Sequence, residues 1–203
     1  MHAIMQASFA QIDAEFGEHS FTPAEYAIIR RVIHSTADFE YRDLVRFGTA
    51  RLPGAIAIAR TALARSTPII VDVTMVAQGI KTVVAQTFQN PILSAVSQAQ
   101  QALPGKTRTE TGLLRCLELY PTGIYVIGNA PTALLALCDQ IRQGKAQPQL
   151  VIGAPVGFIA VLESKAALAA LEEVPQIRVE GRKGGSPVAA AIVNALLVLA
   201  ATD

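Results

Sequence analysis

Met5, Phe9, Ile12 and Phe16 recur at four- and three-residue intervals, which lays one apolar stripe along a helix that ends near Gly17. Ser8 borders that stripe. Thr22-Pro23-Ala24-Glu25 reads as a capping box: Thr22 caps, Pro23 fills the first helical position and Glu25 returns to the cap, so a second helix is predicted over 22–35. An extended stretch around 38–47 and an alanine-rich helix over 53–64 follow. Pro68-Ile69-Ile70-Val71-Asp72-Val73 is short, apolar and β-branched, as a buried strand should be. Then come a strand in Pro91-Ile92-Leu93-Ser94-Ala95-Val96, a helix over 111–119 and the strand Ile124-Tyr125-Val126-Ile127. Such alternation implies an α/β fold of three layers, a mainly parallel sheet flanked by helices.

The next two units resemble one another. Tyr125-Val126-Ile127-Gly128-Asn129-Ala130-Pro131 runs into a helix over 132–141, and Leu150-Val151-Ile152-Gly153-Ala154-Pro155-Val156-Gly157 runs into one over 158–171. A last strand over 177–180 meets Gly181-Arg182-Lys183-Gly184-Gly185-Ser186-Pro187 and a closing helix to about 199. Three glycine turns therefore lie at one end of one sheet, the carboxyl edge, where loops form a crevice and helix N-termini offer unpaired amides. None is a GxGxxG, and Gly181 to Ser186 lacks the phosphate-loop spacing. Any one of these glycines serves a tight strand-to-helix turn; three together lean toward a site.

The totals narrow the class. With 203 residues, 51% of them hydrophobic, the chain can bury a large core and is expected to form a single domain over 1–203. Seventeen basic residues against 16 acidic give a formal charge of +1 with no basic run, so no nucleic-acid partner is expected. Cys116 and Cys138 have no CxxC spacing, which fits a reduced, cytoplasmic protein. A mean hydropathy of +0.38 raises the question of a membrane span. The longest candidate, between Pro187 and Thr202, holds about 14 residues and is interrupted by Asn194, short of the roughly 20 that cross a bilayer. A buried helix is the better reading. The first residues lack the basic flank and apolar stretch of a secretion signal.

Arg31 and His34 stand three residues apart, which puts a fixed cation and a group that titrates near neutral pH on one helix face. Such a pair can grip an anion and move a proton. His2, His19 and His34 are scattered, so no metal site is expected, and no G-x-S-x-G elbow supports acyl transfer. Asp72 at a strand end is either a carboxylate catalyst or the cap of a turn. Arg108, in the polar run Lys106-Thr107-Arg108-Thr109-Glu110-Thr111, binds an acid or is simply solvated. These residues suit a substrate with acidic groups.

Taken in order, Ser8-Phe9, Arg31-Val32-Ile33-His34, the stretch from Asp72 to Ile80, Lys106-Thr107-Arg108, Ile127-Gly128-Asn129-Ala130-Pro131, Gly153-Ala154-Pro155-Val156-Gly157-Phe158, Glu163-Ser164-Lys165 and Gly181-Arg182-Lys183-Gly184-Gly185-Ser186 look like the precorrin-8X methylmutase family of corrinoid biosynthesis. The likeness runs nearly end to end. It implies an isomerase that moves a methyl group from C11 to C12 of a tetrapyrrole ring, giving hydrogenobyrinate, or cobyrinate when cobalt is in the ring, with no separate cofactor. By the same resemblance His34 is the proton-transferring residue, and Ser8, Arg31, Thr107 and Arg108 contact substrate. Gly128, Asn129, Gly153, Gly157, Gly184, Gly185 and Ser186 would bind substrate too, the glycine turns offering amides to its carboxylates or letting the flat ring approach the backbone closely, and members look like homodimers with a shared pocket. Two rivals stand beside this reading. A tetrapyrrole carrier would need the pocket and not the imidazole, and an enzyme acting on a small nucleotide is opposed by the missing phosphate loop.

Overall fold

The computed structural model describes residues 3–48 and 54–202, which form one six-stranded sheet with helices on both faces. In chain order the elements are α1 (Ala3–Phe16), α2 (Pro23–Thr36), the single-turn α3 (Tyr41–Leu44), β1 (Val45–Gly48), α4 (Ala55–Ala64), β2 (Ile69–Val71), α5 (Thr74–Gln86) and β3 (Ile92–Ser94). A 3₁₀ turn over Ala95–Gln98 follows, then α6 (Arg108–Leu119), β4 (Ile124–Ile127), α7 (Pro131–Arg142), β5 (Leu150–Gly153), α8 (Val161–Ala169), β6 (Gln176–Val179) and α9 (Ser186–Ala201).

The strand order is β1-β6-β5-β4-β2-β3, parallel from β6 to β3, with β1 antiparallel to β6. Val45 opposes Val179 and Gly48 opposes Gln176. The start of β1, and with it the end of α2, is thereby brought to the carboxyl edge of the other five strands.

Period-two alternation sorts the strand side chains into two cores. Ile69, Val71, Ile124, Val126, Leu150, Ile152, Ile177 and Val179 point to α1, α2, α4, α5 and α9. Ile70, Tyr125, Ile127 and Val151 point to α6, α7 and α8. Both faces of every central strand are covered, which is why their sequences read as unbroken apolar runs. The apolar helix before Thr202 is α9, central to the first layer and buried on nearly all sides. Its one polar interruption is accommodated, since Asn194 Nδ2 donates to the Gly79 carbonyl at 2.9 Å. No helix among the described residues is long and apolar enough to cross a membrane.

Several boundaries differ from the sequence reading, each for a local reason. The stretch around 38–47 is extended only from Val45, because Ala37 turns left-handed (φ 55°) at the end of α2 and one turn of α3 intervenes. The helix after β5 begins at Val161 rather than 158, since Gly157 (φ 144°) and Ala160 (φ 57°) hold the chain out of helical geometry. It ends at Ala169 rather than 171. Helix α5 was not foreseen between two strands: Val73 caps it without a side-chain hydrogen bond, although Val76, Ile80 and Val84 keep helical spacing. The start placed at Pro53 for the alanine-rich helix lies outside the described residues.

Candidate active site

The capping box at Thr22 fixes the start of α2, with Glu25 N donating to Thr22 Oγ1 at 3.3 Å and Thr22 N to Glu25 Oε2 at 2.9 Å. From that fixed start His34 falls in the last turn, at the rim where the strands end. The rim position follows from its neighbours. Asp38, just past the helix, pairs with Lys183 Nζ at 2.5 Å, and Lys183 belongs to the turn after β6.

His34 is exposed, and its one ring partner among the described residues is Phe9, met edge-on with centroids 5.1 Å apart at 73°. Phe9 also carries the guanidinium of Arg30 over its face at 4.5 Å and that of Arg31 at 6.0 Å. The two arginines fare differently. Arg30 is tied to Asp13 at 2.9 Å, and the Tyr26 hydroxyl donates to the same carboxylate. Arg31 is half-buried with no hydrogen bond or ion pair among the described residues; burial first, and the adjacent Arg30 charge second, hold its guanidinium below the usual arginine value. A partly dehydrated cation beside an imidazole is an arrangement suited to receive an anion. Ser8 is partly buried next to Phe9 in α1. The structure thus brings Arg31 and His34 together over Phe9, with Ser8 adjoining in α1; the sequence reading did not single out Phe9 as the floor. The signal available was that Phe9 adjoins Ser8 while belonging to the apolar stripe.

Thr107 and Arg108 lie on the other helical layer, at the start of α6. Thr107 forms a second capping box with Glu110, whose N donates to Thr107 Oγ1 at 3.1 Å, and its hydroxyl sits 3.0 Å from that of Thr132 in the first turn of α7. Its side chain is therefore already engaged. Arg108 is exposed and makes no hydrogen bond or ion pair among the described residues. No hydrogen bond, ion pair or ring contact among those residues joins α6 to the His34 corner.

The amide-rich turns separate into two kinds. After β4, the buried Asp72 fills the turn: its carboxylate accepts from Gly128 N at 3.1 Å, Asn129 N at 2.6 Å and Ala130 N at 2.7 Å, and from Val73 N at 2.9 Å. Burial pushes this carboxyl up and the four amides pull it back. The expectation that Gly128 and Asn129 offer amides to a ligand is thus corrected, because Asp72 already takes them. Asp72 is the anchor of that turn rather than a catalyst, and of the two only the exposed Asn129 side chain remains open. Gly128 and Gly153 are glycine for packing: a Cβ on Gly128 would lie 2.9 Å from both Ala189 Cβ and Val76 Cγ2, and one on Gly153 would lie 2.5 Å from Leu168 Cδ2.

The turn after β6 is different. Gly184 (φ 152°) and Gly185 (φ 113°) adopt conformations that favour glycine, and a Cβ on Gly184 would strike the carbonyl oxygens of Ala154 and Pro155. Gly185 N donates to Ala154 O at 2.8 Å and Gly157 N to Arg182 O at 3.3 Å, so the loops after β5 and β6 are clasped together. Among the described residues no acceptor takes the amides of Arg182, Lys183, Gly184 or Ser186. Beside this clasp, Phe158 and Ile159 are 86% and 87% exposed, with the Arg182 guanidinium 5.8 Å over the Phe158 ring.

Among the described residues no group of three or more His, Cys, Asp or Glu side chains converges. Burial pushes the thiols of Cys116 and Cys138 up to about 11 and about 12, which leaves neither nucleophilic near neutral pH.

Comparison with known proteins adds the following. The family model described as CbiC, precorrin-8X methylmutase, matches residues 3–199. A cobalt-precorrin-8 methylmutase from Synechocystis sp. is 58% identical, the match covering 98% of this chain and 96% of that one. A precorrin-8X methylmutase from Pseudomonas aeruginosa is 39% identical over 96% and 93% of the two chains. A crystal structure of precorrin-8x methyl mutase from Thermus thermophilus superposes with a TM-score of 0.87 at 42% identity, covering 99% of this chain and 98% of that one.

Proposed function

Because the chain belongs to the precorrin-8X methylmutase family, and is thus an isomerase that transfers a methyl group within a corrin precursor, we propose that it moves the methyl from C11 to C12 of precorrin-8X or cobalt-precorrin-8, with His34 transferring the proton. The observation that carries the role of His34 is its setting: an exposed imidazole on an aromatic floor, beside an arginine with no counter-ion among the described residues. A shift between neighbouring ring carbons leaves the overall oxidation state unchanged. It calls for binding in the reactive geometry and for a proton given or taken at the macrocycle. Arg31 supplies a planar fork for one carboxylate arm, Arg108 for another, and Ser8 a hydroxyl close by. Asn129 through its side chain, and Gly157, Gly184, Gly185 and Ser186 at the clasp, line the remaining approach, whereas Thr107 and Gly153 support the rim from behind.

A second copy of the chain completes the site in this reading. Its support is that one chain leaves His34 open to solvent and two large apolar side chains, Phe158 and Ile159, uncovered at the same rim. Two buried, unpaired thiols fit work in the reducing cytoplasm.

The test is to incubate purified protein with the metal-free and the cobalt-bearing substrate and follow the absorbance spectrum. Conversion of at least one is expected, and its loss in His34→Ala with coloured product still bound. Unchanged spectra with both substrates overturn the isomerase assignment; full turnover by His34→Ala overturns the role of the imidazole.

A further inference from the structure

Lys165 is a buried lysine, 3% exposed, on α8. Its ammonium donates to the carbonyls of Gly181 and Lys183, at 2.7 Å each, and among the described residues forms no hydrogen bond or ion pair with a carboxylate; Glu180 acts on it only as a weaker electrostatic pull. A buried cation without a paired anion is costly, so its presence calls for a reason beyond holding a loop.

The fold shows how the same holding is done without charge. Gln176 Nε2 donates to the carbonyls of Leu168 and Leu171, at 3.0 and 2.9 Å. Asn90 Nδ2 donates to those of Leu63 and Thr67, at 3.0 and 2.9 Å. Both are neutral amides that tie two carbonyls, and both lie away from the clasp. At the clasp the chain uses an ammonium.

The consequences for the turn are specific. Lys165 takes the carbonyls of Gly181 and Lys183, Gly157 N takes that of Arg182, and Gly185 N is bonded to Ala154 O. With three successive carbonyls satisfied inside the protein, the donors of the same segment, the amides of Arg182, Lys183, Gly184 and Ser186, are left without acceptors. Arg182 adds a guanidinium against Phe158. The Lys183 side chain is bound to Asp38 and Glu40, at 2.5 and 3.0 Å, so its charge is neutralised by side chains in a way that the charge of Lys165 is not.

We propose that Lys165 is a positioning residue for substrate binding: its buried ammonium holds the 181–185 turn by the carbonyls and lends it positive potential, so that the free amides of Gly184 and Ser186 and the Arg182 guanidinium receive carboxylate arms of the substrate. This rests on the assignment of a carboxylate-bearing corrin precursor to the rim. A neutral tie at this position would keep the turn and lose the potential.

The experiment compares wild type, Lys165→Gln, Lys165→Met and Lys165→Arg by steady-state kinetics and by spectrophotometric titration with cobyrinate. Lys165→Gln should raise KM and the product Kd about tenfold while kcat stays within about threefold, Lys165→Met should do so more strongly, and Lys165→Arg should recover part of the loss. Raising salt should weaken product binding more in wild type than in Lys165→Gln. A folded Lys165→Gln with wild-type KM, product affinity and salt dependence overturns the proposal. Should neither neutral variant fold, wild type alone decides: its KM should rise as the pH passes about 8, where burial has brought the ammonium, and a flat KM overturns the role. Failure of the underlying reading is seen separately, as a wild-type protein that neither converts nor binds the ring.

Discussion

At the turn after β4, the Asp72 carboxylate accepts from four backbone amides in a site closed to water. Near the end of α2, on the same rim, Arg31 and His34 meet no polar partner among the described residues and share one phenyl ring. Both places hold a charged side chain next to helix or strand ends. Where donors and acceptors saturate one another the group is part of the scaffold; where a cation and an imidazole are left unsaturated, a partner from solution can be accepted. The adjacent pair Arg30 and Arg31 repeats this contrast within two residues, since Asp13 serves the first and not the second.

Exchanging the two behaviours by mutation is the most direct way to break the comparison. Removing the imidazole with His34→Ala should lower kcat by roughly 10²–10⁴, the usual worth of a positioned proton-transfer group, and change stability by less than about 0.5 kcal/mol because the residue is exposed. Single-turnover absorbance and urea denaturation read the two effects. Asp72→Asn should do the reverse in kind: an amide nitrogen would face backbone N–H donors, with a loss of about 3 kcal/mol in unfolding free energy. An unfolding midpoint equal to wild type would remove the scaffold reading of Asp72.

The comparison is sharpened by Arg31→Ala, where a charge-assisted contact of about 1.5–3 kcal/mol should appear as a KM raised roughly tenfold to a hundredfold. Truncating Arg30 instead should cost stability and leave KM nearly as it was. The smallest effect concerns Lys165, whose burial lowers its pKa from 10.5 to about 8, against a weaker upward pull from Glu180. Between those values the unfolded chain binds a proton that the folded chain does not, so this group makes wild type gain stability as pH rises from about 8 to about 10.5. Melting curves of wild type and Lys165→Gln across that window should diverge in favour of wild type; parallel curves would show an ordinary lysine.

Much of this architecture is legible in the sequence where local chemistry is self-contained. The Thr22 box announces α2 and fixes the phase of Arg31 and His34, because capping and helical spacing involve only neighbours in the chain. The apolar runs at Ile69, Ile124 and Leu150 announce buried strands for the same reason. What escapes is whatever depends on a distant partner. Asp72 stands 56 residues from the Gly128 amide it accepts, and nothing in its surroundings says which turn it fills. The late start of α8 depends on the clasp between two loops that meet only in the folded chain. Phe9 looks like any member of an apolar stripe until α2 is laid across it. The box at Thr107 and Glu110 was local and readable; the run of polar residues around it reads equally well as a loop.

Helix α9 packs among α2, α4 and α5 and against the centre of the sheet, yet follows every one of them in the chain. During synthesis, then, half of the protein waits with its greasy inner surface uncovered until this segment emerges from the ribosome. That layer consequently closes only once α9 is available, and until then its apolar inner face is open to non-native contacts.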